Sequence, residues 1–374
     1  MQVYFIILLL IILSYFVLPR RLYLTFTLCI ISFIFCCRNI HLGLGDVDGT
    51  YYVQFINLTK TSWLEILNQY SIKNGIAFAC ISKLFSSVGL SYQFFIATLY
   101  AFFMFVSGKI IKEFSNNYLL SVVILYTCSC IYAASIIRQY LSISFILLMV
   151  LYYYKKSYIK SFIMFVFAFF VHFSAVVFLP TIMLLIYEKK RKKLNLVLPL
   201  LFIILGFIFS NFGKIIILNV IKVLNHQMYQ YIYDGIYSFG NDVSLIWFMI
   251  LFVSVFLYFL LNGLSFENIY SHIYLNIKKR GYLTNDDSIN YDMYFFVSIG
   301  IACYLLSNIV AEFYRVSQYF SIFNMILLPN MICQIRYHKN REIVTVLCII
   351  LFFIYMLMSP VKNLNFSKFL FFWG

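Results

Sequence analysis

Long apolar runs alternate with short polar stretches along almost the whole chain, and most runs have the length of a membrane-spanning helix. With their flanks, these runs predict helical spans near residues 2–18, 22–37, 91–108, 118–137, 140–154, 195–212, 243–262, 293–311, 316–334 and 342–358. The stretch 158–187 predicts either one overlong helix or two short helices that meet near His172. We therefore expect an all-α polytopic integral membrane protein with about 11–12 transmembrane helices, forming a single transmembrane domain over residues 1–374.

Composition supports this interpretation. Of the 374 residues, 63% are hydrophobic, 21% are aromatic and only 11% are charged, which excludes an ordinary soluble domain. The first segment, Met1 to Leu18, lacks a basic n-region and a small-residue cleavage site. That pattern favours a retained span over a cleaved signal peptide.

The charge is strongly basic, at +15 from 28 Lys and Arg against 13 Asp and Glu. In so apolar a chain, the excess indicates positively charged cytoplasmic loops and not a nucleic-acid partner. The basic clusters expected in the cytoplasm are Arg20–Arg21, Lys109–Lys112, Lys155–Lys156, Glu188–Lys193, Ile277–Arg280 and Arg336–Arg341. All of them can be cytoplasmic if 158–187 crosses twice and 75–90 is interfacial or re-entrant. External loops are then expected at about 38–75 and 211–242, and a cytoplasmic loop at about 263–292.

No cofactor or metal is predicted. Most of the nine cysteines lie inside apolar runs, and their spacing fits neither a disulfide framework nor a zinc site. The stretch "GDVDG", which contains Asp46 and Asp48, begins like a calcium loop but has no ligating continuation. No glycine-rich loop suited to a nucleotide phosphate is present in the sequence.

Two arginines lack a positive-inside explanation. Arg138, followed by Gln139, stands between two apolar runs, and Arg315 stands in an equivalent setting after Glu312 and Tyr314. A charge at the bilayer centre costs roughly 2.5–3.5 kcal/mol on insertion scales, so such residues usually have a function or a wet location. Guanidinium groups bind phosphate oxygens bidentately, which suits a phosphate-bearing ligand at the external face. The alternatives are an arginine that snorkels to headgroups or an ion pair with Glu312.

Other ionisable residues fall on the same predicted face. His172, at the tip of the 158–187 hairpin, is a candidate general base or hydrogen-bond donor, or a structural histidine. Asp46 and Asp48, in the first external loop, are candidates for a base that deprotonates a hydroxyl, or form an ordinary polar turn. Tyr51 suits sugar stacking or an interfacial aromatic belt.

The order of these motifs resembles a known family. A Gly-x-Asp element followed by tyrosines precedes the Arg-Gln element, an His-x-Ser element with Leu-Pro behind it, and a late Tyr-Arg element whose span ends in Leu-Leu-Pro. This order is similar to that of the EpsG-like branch of the Wzy-type polysaccharide polymerases, from about Gly43 to Pro329. The resemblance matches the acidic motif to Asp48, with Asp46 as the ambiguous neighbour. It matches the later motifs to Arg138 and Gln139, to His172 and Ser174, and to Tyr314 and Arg315.

The resemblance implies a GT-C-like glycosyltransferase architecture in the bacterial cytoplasmic (inner) membrane. It implies metal-independent, inverting polymerisation of undecaprenyl-diphosphate-linked oligosaccharide repeat units at the outer face, for O-antigen, capsule or exopolysaccharide. The implied partners are those lipid-linked oligosaccharides, membrane lipid, a chain-length regulator and a flippase. Two alternatives stay open: a glycan ligase of the same chemistry, and a lipid-linked sugar transporter. A transporter is expected to carry charges near the midplane, whereas here they gather at one face.

Overall fold

The computed structural model describes residues 2–39, 46–72, 75–190, 197–210, 285–307, 312–335, 337–358 and 361. These residues form helices and the turns between them, and no β-strand occurs in this part of the chain. The helices are α1 (Gln2–Val17), α2 (Arg20–Cys36), α3 (Asp46–Lys60), α4 (Trp63–Gln69), α5 (Ile76–Ser87), α6 (Tyr92–Phe114), α7 (Tyr118–Leu125), α8 (Ile131–Ser135), α9 (Ile137–Tyr154), α10 (Tyr158–Val171), α11 (Phe178–Lys190), α12 (Val197–Ile208), α13 (Asn285–Leu306), α14 (Glu312–Ser321), α15 (Asn324–Cys333) and α16 (His338–Met358). A π-helical turn, Tyr126–Cys130, joins α7 to α8, and a 3₁₀ turn, Phe173–Val177, follows α10.

The prediction of an all-α polytopic membrane protein is confirmed. Among the described residues, five helices are long and apolar enough to cross a membrane, and a bent pair makes a sixth. The five are Tyr92–Phe114, Tyr118–Ser135, Ile137–Tyr154, Ile289–Leu306 and His338–Met358, and the pair, Phe313–Ser321 with Asn324–Cys333, is bent by 44°. Shorter apolar helices of 10–17 residues occur as well, and the predicted span at 243–262 lies outside the described residues. The total of about 11–12 spans therefore stays a prediction.

The stretch 158–187 is divided between α10, which ends at Val171, and α11, which begins at Phe178, so the interpretation as one overlong helix is wrong. The predicted external segment 38–75 is largely helical, because α3 and α4 lie within it. Of the other predicted loops, 211–242 lies wholly outside the described residues, and 263–292 enters them only at the start of α13.

Contacts group the chain into two compact units, residues 1–176 with 352–374 and residues 177–351. In the first unit, α2 and α6 run antiparallel, since Arg20 Nη2 donates to the Ser115 carbonyl (3.5 Å) and Cys36 Sγ lies 3.4 Å from the Ala97 carbonyl. The single transmembrane domain over residues 1–374 stays a prediction.

Helices α6 and α9 run parallel, and α9 and α10 form an antiparallel hairpin. The parallel direction of α6 and α9 follows from the ring pairs Phe103–Tyr140 and Phe114–Tyr154, whose centroids are 5.1 Å and 5.2 Å apart. The antiparallel direction of α9 and α10 follows from two hydrogen bonds between them. The Ser142 hydroxyl donates to the Ala168 carbonyl and the Ser161 hydroxyl donates to the Met149 carbonyl, each at 2.9 Å. Hydrogen bonds of this kind hold helices together where lipid offers no competing partner.

These directions sort the ends of the first unit. The basic residues Arg20, Lys112 and Lys155 lie at one end, because α2 begins there while α6 and α9 end there. The beginning of α9 and the end of α10, with Arg138 and His172, lie at the opposite end.

In the second unit, α13 runs antiparallel to the bent pair α14–α15. Asn330 Nδ2 donates to Asn290 Oδ1 (2.9 Å) at one end, and the Tyr304 and Tyr314 rings are 6.3 Å apart at the other. Helix α12 approaches α13 closely at Gly206, where a Cβ atom would stand 2.8 Å from the Ala302 Cα. Only a residue without a side chain permits this approach, because the neighbouring atom belongs to the backbone.

A Gly206→Val substitution is expected to lower the thermal midpoint in detergent, because α12 has to move away from α13. Overpacking of this kind costs about 1–3 kcal/mol. Leu205→Val, on the exposed side of the same helix, is the matched control and should leave the midpoint nearly unchanged. Equal midpoints for the two variants would contradict the close approach.

Candidate functional site

Arg138 is positioned by a break between two helices. Helix α8 ends at Ser135, Ile136 leaves helical geometry (φ −114°, ψ 56°), and α9 begins at Ile137. The prediction that Arg138 lies at the junction of two apolar helices is therefore confirmed. Its side chain is half-buried, while Gln139 beside it is fully buried, which suits a supporting role.

Two other elements reach the Arg138 side chain. Tyr51, on α3, has its ring centroid 5.7 Å from the guanidinium carbon, within the range of a cation–π contact. Gly75 caps the N-terminus of α5, and a Cβ atom built on it would stand 3.3 Å from Arg138 Nη1 and 3.4 Å from Cδ. A helix N-terminus carries partial positive charge and N–H groups without intrahelical partners. The positive end of α5 and the guanidinium therefore lie side by side, which is an arrangement suited to an anion.

The end of α10 also lies next to Gly75 and the Arg138 side chain. The Val171 carbonyl oxygen is 2.7 Å from the Cβ position of Gly75, so it lies within about 6 Å of Arg138 Nη1. His172 follows Val171 in extended conformation and donates its backbone N–H to the Ala168 carbonyl (2.9 Å). The structure thus brings the predicted residues Arg138, His172 and Tyr51 to one end of the first unit.

The half-buried His172 ring interacts with Ser174, whose hydroxyl oxygen lies 2.5 Å from Nδ1. This pairing fixes the ring orientation and leaves two assignments of the proton. If the Ser174 hydroxyl donates to Nδ1, Nε2 carries the proton and is a hydrogen-bond donor. If Nδ1–H donates to Ser174, Nε2 carries the lone pair and is the nitrogen that accepts a proton.

Asp46 and Asp48 lie in the first turn of α3. Negatively charged side chains in this position stabilise a helix, because its N-terminus carries partial positive charge. Asp48 precedes Tyr51 by one helical turn, so its backbone lies next to the turn that contacts Arg138. The side chains of both aspartates fall outside the described part of the chain. The choice between them as a base stays a prediction.

Arg315, Tyr314 and Glu312 belong to α14 in the second unit. Arg315 is exposed, Tyr314 packs against the Tyr304 ring, and the Glu312 side chain is not among those described. The pairing of Arg315 with Arg138 stays a prediction.

Two residues of the site were missed in the sequence. Gly75 adopts a left-handed conformation (φ 76°) at the N-cap of α5, and an Asn-Gly dipeptide before an apolar run is the signal that marks such a turn. Arg38 is fully buried and donates from Nη1 to the Phe35 carbonyl (2.9 Å) and from Nη2 to the Ala134 carbonyl (2.5 Å). Arg38 thus supplies a hydrogen-bond donor to a carbonyl in the last turn of α8, the helix that ends just before Arg138. Its position directly after an apolar run, the property that singled out Arg138, was the available signal.

These features define a multi-pass, all-helical membrane protein. Arg138 and His172 lie at one end of its first unit, and Arg20, Lys112 and Lys155 lie at the opposite end. The chain matches the EpsG family over residues 21–371 and belongs to that family. Family membership supports a polymerase-like role in polysaccharide biosynthesis. Comparison with curated proteins and with solved structures found no match.

Gly75→Ala is expected to reduce the polysaccharide product on the order of a hundredfold, because the new methyl group displaces Arg138 or the Val171 carbonyl. Gly89→Ala is the matched control. Gly89 has nearly the same positive φ (79°), but nothing lies within 4 Å of its Cβ position. The two variants therefore share the backbone strain and differ in crowding alone. A similar loss in both, at equal expression, would contradict a role for the contact with Arg138.

Arg38→Gln is expected to destabilise the protein by about 1–3 kcal/mol, because the Ala134 carbonyl loses its buried donor. The measurement is the thermal midpoint in detergent. Arg21→Gln, an exposed arginine at the basic end of α2, should have little effect. If both variants melt like the natural chain, the Arg38 contact does not support the helix break.

Proposed function

We propose that the protein is a membrane glycosyltransferase that polymerises undecaprenyl-diphosphate-linked oligosaccharide repeat units at the outer face of the bacterial cytoplasmic membrane. The observation that carries the proposal is the convergence of Arg138, the N-terminus of α5 and the α10 end at Gly75. Family membership supplies the link to polysaccharide biosynthesis.

The position of this convergence supports an external site. Arg20, Lys112 and Lys155 lie at the opposite end of the first unit. Basic helix ends face the cytoplasm in most membrane proteins, so Arg138 and His172 belong to the other side. Lipid-linked repeat units are accessible there to an enzyme that extends a surface polysaccharide.

The proposed role of Arg138 is to bind the diphosphate of the donor. Transfer breaks the bond between the anomeric carbon and phosphate oxygen, and negative charge grows on the leaving diphosphate. A guanidinium fork and the positive end of α5 stabilise that charge without a metal ion. Arg315 is retained, from the sequence pattern, as a second guanidinium for the same group. The leaving lipid diphosphate makes a separate nucleotide unnecessary.

The acceptor hydroxyl needs a base as it attacks the anomeric carbon from the opposite face, which inverts the configuration. Asp48 is proposed for this role, with Asp46 and His172 as alternatives. His172 is suited to it only in the assignment in which Nδ1–H donates to Ser174 and Nε2 is the unprotonated nitrogen. In the other assignment, His172 donates a hydrogen bond to sugar or phosphate. Tyr51, beside the guanidinium, offers a ring face for a sugar.

Arg138→Lys is expected to abolish the ladder of glycan chain lengths, because a lysine ammonium lacks the planar fork that binds two phosphate oxygens at once. The measurement is a gel of cell-surface glycan from a strain that carries the variant as its only copy. Arg21→Lys at the basic end of the first unit is the matched control and should keep the ladder. An unchanged ladder in normally expressed Arg138→Lys protein would overturn the proposed role.

Deletion of the gene separates the proposed reaction from its alternatives. Loss of a polymerase leaves single repeats on the acceptor, whereas loss of a ligase removes glycan from the lipid core altogether. Loss of a transporter leaves lipid-linked single repeats on the cytoplasmic side of the membrane. Only the first outcome agrees with the proposal.

A further inference from the structure

The short helix α4 exposes most of its apolar side chains. Trp63, Leu64 and Leu67 have exposed fractions of 47%, 74% and 54%, and Ile66 is the helix's buried residue. At about 100° per residue, these three side chains occupy one arc of the helix, with Glu65, Asn68 and Gln69 on another. We call Trp63, Leu64 and Leu67 the apolar arc of α4.

The orientation of the apolar arc is fixed by the protein. The Ser62 hydroxyl accepts from the Glu65 backbone N–H (3.3 Å), and the Glu65 carboxylate accepts from the Ser62 N–H (2.8 Å), which forms a capping box. These hydrogen bonds lower the pKa of the Glu65 carboxyl. Next to the apolar arc, about 60° from Trp63 around the helix axis, Ile66 packs with Leu58 of α3 and Ala79 of α5. The arc is therefore a defined, exposed surface beside the contact that α4 makes with the first unit.

The depth of α4 follows from the packing of its neighbours. Phe55 of α3 and Phe78 of α5 pack in one cluster with Phe95 of α6, Ile137 of α9 and Val171 of α10. These are the beginnings of α6 and α9 and the end of α10, so α3, α4 and α5 lie at the level of the helix ends near Arg138. Because α6 and α9 are long enough to cross the membrane, that level corresponds to the headgroup region of one leaflet.

Exposed apolar side chains also occur where α5 packs against a spanning helix. Leu84 of α5 and Val88 directly after α5 are exposed, and Phe85 contacts the exposed Phe94 of the spanning helix α6, with 6.3 Å between the ring centroids. Tryptophan is enriched at the membrane–water interface, where its ring is apolar and its N–H is polar. A helix with an apolar arc, a polar arc and a tryptophan at this level suits the boundary between headgroups and acyl chains.

We propose that α4 is an interfacial helix whose apolar arc inserts into the leaflet on the Arg138 side. The bilayer is the partner, and Trp63 lies at the boundary between headgroups and acyl chains. One consequence rests on the proposed function. Because α4 is joined to α3, its insertion holds Tyr51 and the first turn of α3 at the depth of lipid phosphate groups, where the diphosphate of a lipid-linked sugar lies.

Fluorescence of Trp63 tests the insertion directly. The chain has three tryptophans, so the full-length Trp247→Phe/Trp373→Phe variant reports on Trp63 alone. It is reconstituted into phosphatidylethanolamine–phosphatidylglycerol vesicles that contain lipids with a nitroxide quencher at a shallow or a deep acyl position. The shallow quencher should reduce the emission at least twofold more than the deep one, and aqueous iodide should have little effect.

Two results would overturn the proposal. Quenching by iodide without quenching by lipid would place Trp63 in water, and quenching by neither would mean that protein covers the arc. If the double variant does not fold, the difference in emission between the natural chain and Trp63→Phe gives the same quantity. Neither measurement depends on catalysis, so an inactive but lipid-quenched protein would fail the proposed function and still support the insertion.

Discussion

The arrangement at Arg138 depends on one constraint, which is that backbone groups released by a break in an apolar helix must find partners inside the protein. At the end of α8, the partner is Arg38, whose guanidinium donates to the Ala134 carbonyl. At the end of α10, the partners are close in sequence: the His172 N–H donates to the Ala168 carbonyl, and the His172 carbonyl accepts from the Ala175 N–H (3.0 Å). Because both breaks are satisfied in this way, they can present Arg138 and His172 at one end of the first unit.

A second buried cation holds the neighbouring element in place. Lys83 of α5, only 8% exposed, donates from Nζ to the carbonyls of Leu58 (2.8 Å) and Thr59 (3.2 Å) in the last turn of α3. A positive charge at a helix C-terminus is favoured by the helix dipole and satisfies carbonyls without intrahelical partners. This contact joins α3 to α5, and both Tyr51 of α3 and Gly75 at the start of α5 lie next to the Arg138 side chain.

Apolar run length and unexplained charge were sufficient to predict the helical class and the helix junction at Arg138. For 158–187 they left two alternatives, and the break near His172 was one of them. They were not sufficient for α3 and α4, because these helices are polar enough to look like a loop and are stabilised by tertiary contacts and a capping box. Gly75 and Arg38 were missed for a related reason. Their importance lies in which distant backbone atoms they meet, and no local pattern records that. The roles of Asp46, Asp48 and Arg315 stay predictions.

The π-helical turn at Tyr126–Cys130 has a consequence for the direction in which the site faces. Such a turn holds one residue more than an α-helical turn, so every later residue is rotated by about 100° about the helix axis. Ala134 and the bend at Ile136 both lie beyond it. Compared with an unbroken α-helix, they therefore occupy the helix faces of the residues one position earlier. Loss of one residue from this turn would restore an α-helical turn and leave these faces where they are, so the turn can absorb a change of one residue without redirecting the helix that leads to Arg138.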